Sequence, residues 1–225
     1  THCWLAQTDI SLFRLDHDEL FKDDYPYFSS TSAGWVEHAK RFVEDMSDRL
    51  KLGDKSLTVE VGANDGYLLQ WLKTPCYGVE PTKTGDKAKE KGIEIYPQFF
   101  GSKWATNAAY LKGHADLMVA NNVLAHVPDI NDFVRGFAIL LKPEGIASFE
   151  FPHLLTLVKG AQFDTIYHEH YSYLSLTAVM AIFKANGLEI FDVERLQTHG
   201  GSLRVFASHP GAYPQAASVK AVLAQ

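Results

Sequence analysis

Leu57-Thr-Val-Glu-Val-Gly-Ala-Asn-Asp-Gly66 is the stretch that decides the fold. Its first five residues form a short, mostly apolar run, which is typical of a buried parallel strand. The run ends in a turn that contains Gly62 and Gly66, and the apolar spacing of residues 67–72 predicts a helix directly after it. A strand, a tight glycine turn and a helix together form a ligand crevice at the carboxyl edge of an open α/β sheet.

The turn favours a cationic ligand with an amino-acid head group over a pyrophosphate. Gly62 and Gly66 lack a Cβ and let the backbone approach a ligand closely. Asn64 stands where the dinucleotide fingerprint Gly-x-Gly-x-x-Gly has its middle glycine. The acids Glu60 and Asp65 attract a cation and sit badly beside a pyrophosphate. The sequence therefore favours S-adenosylmethionine (SAM) over a dinucleotide.

The ends of the next predicted strands supply further polar residues. Glu80 ends the second apolar run, where an acid is placed to bind the two hydroxyls of a ribose. Gln98 and Phe99 follow a short third strand, where they either contact adenine or simply pack. Asn121 and Asn122 follow the fourth strand and are expected to face the crevice. The predicted cofactor residues are Glu60, Gly62, Ala63, Asn64, Asp65, Gly66, Glu80, Pro81, Gln98, Phe99, Asn121 and Asn122.

Strands and helices alternate through most of the chain, which predicts a doubly wound, mostly parallel α/β sheet. Ser32 is placed to cap a helix over Ala33–Leu50, whose apolar residues recur at helical spacing. The apolar runs 188–196 and 202–208 lie close together with no helix between them, and so predict late antiparallel strands. This pattern matches a class I SAM-dependent methyltransferase sheet better than a plain dinucleotide fold.

The composition limits the classes of partner and the domain organisation that are expected for this chain. The 225 residues carry a net charge of −6 and no basic run, so nucleic acid is not an expected partner. No apolar run approaches the roughly 20 residues that span a bilayer, so no membrane association is predicted. Cys3 and Cys76 make no disulfide framework, and a cytoplasmic location is expected. We predict a lead-in at 1–31, a SAM domain at 32–210 and a tail at 211–225, within a longer protein.

A second group of chemistry-bearing residues precedes the helix predicted at 175–186. Residues 167–171, Tyr-His-Glu-His-Tyr, form a run that is rare in a structural loop, and an extended run would alternate its side chains between two faces. Two histidines at i and i+2 can share a metal, but no third ligand is evident, so acid–base chemistry fits better. His126 either joins this chemistry or is a capping or core histidine.

Residues 25–32, aromatic and hydroxyl-rich, suit either a lid over a ligand or a turn.

Such a cluster suits methyl transfer to carbon better than transfer to oxygen or nitrogen. Transfer to oxygen or nitrogen needs one modest base at most, whereas transfer to carbon requires ionisation of a C–H bond. Beside a carbonyl, an enolate spreads the charge, so the site needs a base and a donor to the developing oxyanion. The run at 167–171, together with His126, can supply both groups.

Five motifs occur together in this chain: Glu-Val-Gly-Ala-Asn-Asp-Gly at 60–66, Gly-Val-Glu-Pro at 78–81, His-Val-Pro-Asp at 126–129, Tyr-His-Glu-His at 167–170 and Thr-His-Gly-Gly-Ser-Leu-Arg at 198–204. In combination they resemble the SAM-dependent nucleotide-sugar C-methyltransferases, which build branched deoxysugars, as in antibiotic biosynthesis. The resemblance implies a central SAM domain between a small zinc-binding domain and a C-terminal domain that helps to hold the nucleotide sugar. Cys3 would be the last ligand of an upstream zinc set, so zinc is expected only in a longer chain.

The resemblance also implies roles for individual residues. The expected catalytic set is His126, Tyr167, Glu169 and His170, in which either Tyr167 or His170 removes the proton next to the ketone. The expected substrate residues are His168, Thr198, His199 and Arg204. Residues 198–204 also fit a bulged hairpin in which Arg204 forms an ion pair.

The sequence therefore predicts a SAM-dependent C-methyltransferase that methylates a carbon alpha to the ketone of a nucleotide-linked keto-deoxysugar. One alternative is a small-molecule O-methyltransferase, which would lose little rate without the cluster at 167–170. A second is an NAD(P)-dependent sugar-modifying enzyme, against which the missing middle glycine argues. A third is a non-catalytic SAM-binding module.

Overall fold

The computed structural model describes residues 4–8, 21 and 27–225, which form a twisted sheet with helices on both faces. The strands are β1 (Ala6–Gln7), β2 (Thr58–Val61), β3 (Cys76–Val79), β4 (Glu94–Tyr96), β5 (Ala115–Asn121), β6 (Leu141–Pro152), β7 (Ser172–Tyr173), β8 (Glu189–Leu196) and β9 (Ser202–Ser208). The helices are α1 (Ala33–Leu50), α2 (Gly85–Glu90), α3 (Ser102–Lys112), α4 (Ile130–Leu140), α5 (Leu154–Lys159), α6 (Leu176–Ala185) and α7 (Ala217–Leu223).

The main sheet has seven strands in the order β4-β3-β2-β5-β6-β9-β8. Its first five strands pair in parallel, and β9 runs antiparallel to both of its neighbours, β6 and β8. The order reverses at β2, where β3 and β5 lie on opposite sides, which is where an open α/β sheet forms its ligand crevice. The predicted mostly parallel sheet with late antiparallel strands is confirmed.

Strand β5 shows why the sheet is covered on both faces. Leu117 and Val119 pack in one apolar cluster together with α1, whereas Met118 and Ala120 pack in the other together with α4. Side chains alternate along a strand, so an unbroken apolar run requires a helix layer on each side.

Local signals fix most of the helix boundaries. The Ser32 side chain accepts a hydrogen bond from the Trp35 amide, as expected for the cap of α1. The helix expected after Gly66 is wrong, because only a 3₁₀ turn at Leu69–Trp71 forms there. Tyr67, Leu68 and Leu69 are buried in succession, whereas a surface helix would bury only one face.

Two further expectations concern the ends of the chain. The predicted lead-in is described only at 4–8, 21 and 27–31, so Cys3, with its expected zinc role, lies outside the described residues. None of the helices in the described part of the chain is long and apolar enough to cross a membrane.

Candidate active site

A cavity of about 790 Å³ opens at the carboxyl ends of the central strands. Residues from both sequence-predicted groups line it, so the cofactor turn and the Tyr-His cluster share one space. The expected residues that line the cavity are Gly62, Asn64, Glu80, Pro81, Gln98, Phe99, Asn121, Asn122, His126, Tyr167, His170 and His199.

Gly62 forms the floor of the cofactor side, directly after β2. Its φ of +73° lies in the left-handed region that favours glycine. A Cβ at this position would lie 2.5 Å from Val123 Cγ2, so no larger residue fits without displacement. Gly62 and Val123 both line the cavity, so a side chain at position 62 would displace this part of its wall.

Glu80 follows β3 and is held in a fixed orientation at the cavity wall. Its Oε1 accepts hydrogen bonds from the Thr82 amide at 2.9 Å and the Thr82 hydroxyl at 2.7 Å. Its Oε2 accepts from the Asn64 amide at 2.9 Å. Burial raises the pKa of Glu80 above its usual value, although these hydrogen bonds oppose the rise. An oriented carboxyl of this kind can accept further hydrogen bonds from ligand hydroxyls.

Two asparagines at the end of β5 present amide oxygens to a ligand. The Oδ1 atoms of Asn121 and Asn122 are buried and have no hydrogen-bond partner among the described residues. Asn121 Nδ2 donates to the Tyr67 hydroxyl at 3.3 Å, which leaves its oxygen as the remaining acceptor. Buried acceptors are normally satisfied, so these oxygens call for a donor such as an ammonium group.

Four expected cofactor residues do not line the cavity: Glu60, Ala63, Asp65 and Gly66. Glu60 is fully buried within β2, and burial raises its pKa well above its usual value. Asp65 Oδ2 accepts hydrogen bonds from the amide and hydroxyl of Ser30 instead of facing a ligand. Gly66 packs against α2, where a Cβ would lie 2.9 Å from that of Ala88.

The run at 167–171 is a turn, so the side-chain alternation of an extended run does not apply to it. The His170 amide donates to the Tyr167 carbonyl at 3.0 Å and closes the turn. This brings the Tyr167 and His170 rings onto the same side, with centroids 4.2 Å apart, instead of on opposite faces. The His126 ring packs against that of His170 at 4.7 Å. His168 and Glu169 do not line the cavity.

Hydrogen bonds to backbone carbonyls orient both histidines. His170 Nδ1 lies 2.8 Å from the Thr165 carbonyl oxygen, and His126 Nδ1 lies 3.0 Å from that of Glu169. A carbonyl oxygen only accepts, so each Nδ1 carries a proton, and in neutral His170 the lone pair is on Nε2. Burial lowers the pKa of His170 and favours this neutral form. Burial raises the pKa of Tyr167, and the Glu169 carboxylate adds to the rise, so Tyr167 keeps its proton.

The expected substrate residues divide into two groups. His199 lines the cavity at a φ of +50°, with its ring centroid 5.1 Å from that of Trp35. Arg204 does not reach the cavity, because its buried guanidinium pairs with Glu150 at 2.9 Å and Glu194 at 3.1 Å. Thr198 donates to Glu150 at 2.7 Å and thereby anchors the His199 turn. The structure therefore supports the ion-pair alternative for Arg204.

Several lining residues escaped the sequence argument, among them Trp35, Tyr67 and Gln162, whereas Tyr27 and Ser29 belong to the segment 25–32 for which a lid was one alternative. Tyr67 directly follows the glycine turn, but the helix predicted there did not indicate whether its ring would face the cavity. Trp35 reads from sequence as an ordinary apolar position of α1. Gln162 reaches the site by donating to the Gly200 carbonyl at 2.8 Å, a contact that no local pattern encodes.

Comparison with known proteins agrees with this geometry. The family model described as "Methyltransferase domain" matches residues 35–193. The chain is 33% identical over 210 residues to the C-methyltransferase NovU of Streptomyces niveus, covering 92% of this chain and 49% of that protein. The chain thus spans about half the length of this curated relative.

Solved structures share the fold at low identity. Magnesium protoporphyrin IX methyltransferase from Synechocystis PCC 6803, with bound S-adenosylhomocysteine (SAH), aligns with a TM-score of 0.56 at 18% identity, covering 78% of this chain and 84% of that chain. A SAM-dependent methyltransferase from Anabaena variabilis aligns with a TM-score of 0.60 at 13% identity, covering 86% and 91%. Since the family model covers most of the chain and the sheet matches these neighbours, the chain belongs to the methyltransferase domain family, with the class I SAM-dependent fold.

Proposed function

We propose that this chain is the catalytic part of a SAM-dependent C-methyltransferase that acts on a keto-deoxysugar linked to a nucleotide. The observation that carries the proposal is that the rings of Tyr167, His170 and His126 line the same cavity as the glycine turn at Gly62. A methyl donor at the turn and a carbon acid at the rings would therefore meet in one space.

The cofactor side of the cavity fits SAM in shape and in polar groups. Gly62 allows close approach, and Glu80 offers acceptor oxygens for the ribose hydroxyls. The unsatisfied amide oxygens of Asn121 and Asn122 would receive the ammonium group of the amino-acid end. When bound, SAM supplies an electrophilic methyl group on a sulfonium.

His170 is the base in this proposal, which selects one of the two candidates that the sequence left open. Its Nε2 holds the lone pair, because Nδ1 donates to the Thr165 carbonyl. Its lowered pKa keeps the ring neutral near pH 7, as a general base must be. Nε2 would take the proton from the carbon next to the ketone.

Tyr167 is the donor to the developing oxyanion. Burial and the nearby Glu169 carboxylate raise the pKa of its hydroxyl, so the phenol is a poor base that retains its proton. The ring lies against that of His170, with centroids 4.2 Å apart, so the base and the donor can reach adjacent atoms of one substrate. A proton held by Tyr167 would stabilise the enolate oxygen while His170 holds the proton from carbon.

The keto-sugar substrate is supported by the motif resemblance and by the relative named as a C-methyltransferase. The cavity of about 790 Å³ lies in the range of roughly 300–1,000 Å³ that small-molecule sites occupy. His199 and Gly200, in the loop expected to contact substrate, also line this cavity.

Solvent deuterium exchange tests enolate formation without requiring methyl transfer. The protein is incubated in D₂O with SAH and a panel of nucleoside diphosphate keto sugars, and NMR follows deuterium at the carbon next to the ketone. We expect exchange above the spontaneous rate for at least one sugar, and its loss in His170→Asn. His114→Asn, a change at an exposed histidine that does not line the cavity, is the matched control and should exchange normally.

Other outcomes would favour the alternatives. Methylation of a hydroxyl acceptor, with no deuterium entering carbon and no effect of His170→Asn, would indicate an O-methyltransferase. SAH binding without exchange or methylation in any sugar would indicate a binding module.

A further inference from the structure

The segment of residues 27–30, Tyr-Phe-Ser-Ser, here called the strap, is fastened to the cofactor turn by side chains. Asn64 Oδ1 accepts from the Ser29 amide at 2.9 Å, and Asn64 Nδ2 donates to the Tyr27 carbonyl at 2.9 Å. Asp65 Oδ2 accepts from the Ser30 amide at 3.2 Å and also from the Ser30 hydroxyl. These contacts join two parts of the chain that lie 35 residues apart.

The residues of the turn that hold the strap are buried, as is Ser29, whereas Tyr27 is 50% exposed. Asn64 is 8% exposed, Asp65 3% and Ser29 6%. Loss of a buried acceptor leaves its donor unsatisfied, which costs about 1–3 kcal/mol for each group, so the strap is held more firmly than an exposed loop would be. The left-handed backbone of Asn64, at a φ of +50°, is one that asparagine adopts more readily than most residues.

The same residues connect the strap to the cofactor wall. Tyr27 and Ser29 line the cavity beside Asn64. The Asn64 amide donates to Glu80, the residue placed for the ribose. One chain of contacts thus runs from Glu80 through Asn64 to the strap.

We propose that Asn64 and Asp65 are positioning residues that latch the strap over the cofactor site, so that Tyr27 and Ser29 become part of its wall. Asp65 acts through Ser30 and touches no ligand itself. Closure of the strap and binding of the cofactor are then coupled, since each favours the same arrangement of the turn.

Amide hydrogen exchange in the ligand-free protein tests the latch directly. In Asp65→Ala, we expect the Ser30 amide to exchange at least tenfold faster than in the unaltered protein. Asp54→Ala, an acid removed from an exposed turn, is the matched control and should leave this rate unchanged. An unchanged exchange rate of the Ser30 amide in Asp65→Ala would show that Asp65 does not hold the strap.

Titration with SAH tests the coupling, and this part rests on the cofactor of the proposed function. Asp65→Ala should weaken SAH binding about tenfold, the equivalent of about 1.4 kcal/mol, and Asp65→Asn, which keeps an acceptor for Ser30, should recover at least half of the logarithmic loss. If Asp65 acts through Ser30, adding Ser30→Ala to Asp65→Ala causes no further loss. Fully additive losses, or no rescue by asparagine, would overturn the positioning role.

The two proposals fail in distinguishable ways. Absence of SAH binding by the unaltered protein would overturn the cofactor assignment and, with it, the coupling, while the exchange experiment would still report on the latch. Normal SAH binding by Asp65→Ala with rapid Ser30 exchange would overturn the coupling alone.

Discussion

Gly62 and Gly92 both have a positive φ, but only Gly62 faces a close neighbour. A Cβ at Gly62 would lie 2.5 Å from Val123 Cγ2, whereas one at Gly92 would have nothing within 4 Å. We therefore expect Gly62→Ala to weaken SAH binding at least tenfold by displacing the cavity wall. Gly92→Ala, the matched control, should cost about 1–2 kcal/mol of stability from backbone strain and leave SAH binding unchanged. Titration of both variants with SAH measures this difference, and equal losses of SAH affinity would contradict the prediction.

His170 should determine how the reaction depends on pH. Burial lowers its pKa from the ordinary 6.5, and the base must be neutral. The neutral fraction rises with pH through the lowered pKa, so kcat/KM should increase on an acid limb whose midpoint lies below 6.5 and then level off. A midpoint above 6.5 would contradict the assignment.

Removal of the same ring tests its role in the chemistry. His170→Asn should lower kcat by about 10²–10⁴. SAH affinity should stay within threefold, about 0.7 kcal/mol, because His170 is assigned to substrate chemistry. His114→Asn serves again as the control, and a comparable loss in SAH binding and kcat would indicate a structural role instead. Steady-state kinetics and calorimetry of the two variants decide this.

At the scale of the element, the pairing of β6 with β9 depends on a buried ion pair. Glu150 is 0% exposed and accepts from Arg204 on β9 and from Thr198 in the His199 turn, and its Oε2 lies 2.8 Å from Nε2 of His38 on α1. Burial alone would raise the pKa of Glu150, but the His38 hydrogen bond and the charge of Arg204 outweigh it and lower the pKa. The carboxylate is therefore charged and needs its partners.

Arg204→Met should lower the free energy of unfolding by about 3–5 kcal/mol, because it leaves a buried charge without its cation. The matched control is Arg41→Met, which removes an exposed pair with Glu37 at 2.9 Å and should cost only about 0.3–0.5 kcal/mol. Chemical denaturation measures both values. A loss below 1 kcal/mol in Arg204→Met would show that His38 and Thr198 satisfy Glu150 alone.

Elements were predictable from sequence where the signal was local. Apolar runs located the central strands, and Ser32 located the start of α1. The helix expected after Gly66 does not form, because residues 67–69 are buried in succession and not on one face of a helix. The sequence left the conformation of residues 167–171 open, because tertiary contacts of His126 and His170 set the shape of that turn.

At the scale of the molecule, the sequence placed the cofactor residues at one sheet edge without showing how the site is held together. Parallel strands end at the same edge, so Gly62, Glu80 and Asn121 were expected together. The side-chain partners of Asp65 and Arg204 come from residues 30 and 150, and no local pattern encodes such distant contacts. Asp65 was therefore assigned to a ligand, and Arg204 was left between a substrate role and an ion pair, whereas in the structure both hold chain segments in place.

The identity of the cofactor should be visible in the stability of the whole molecule. A ligand that binds only the folded state at 100 times its dissociation constant adds about 2.7 kcal/mol, which for a chain of this size raises Tm by roughly 5–10 °C. We expect this shift with SAH and none with NAD, because Asn64 occupies the place of the middle dinucleotide glycine. Gly62→Ala, at the same SAH concentration, should lose about half of the shift or more by its weaker binding. A shift with NAD and none with SAH would instead make the turn a dinucleotide site.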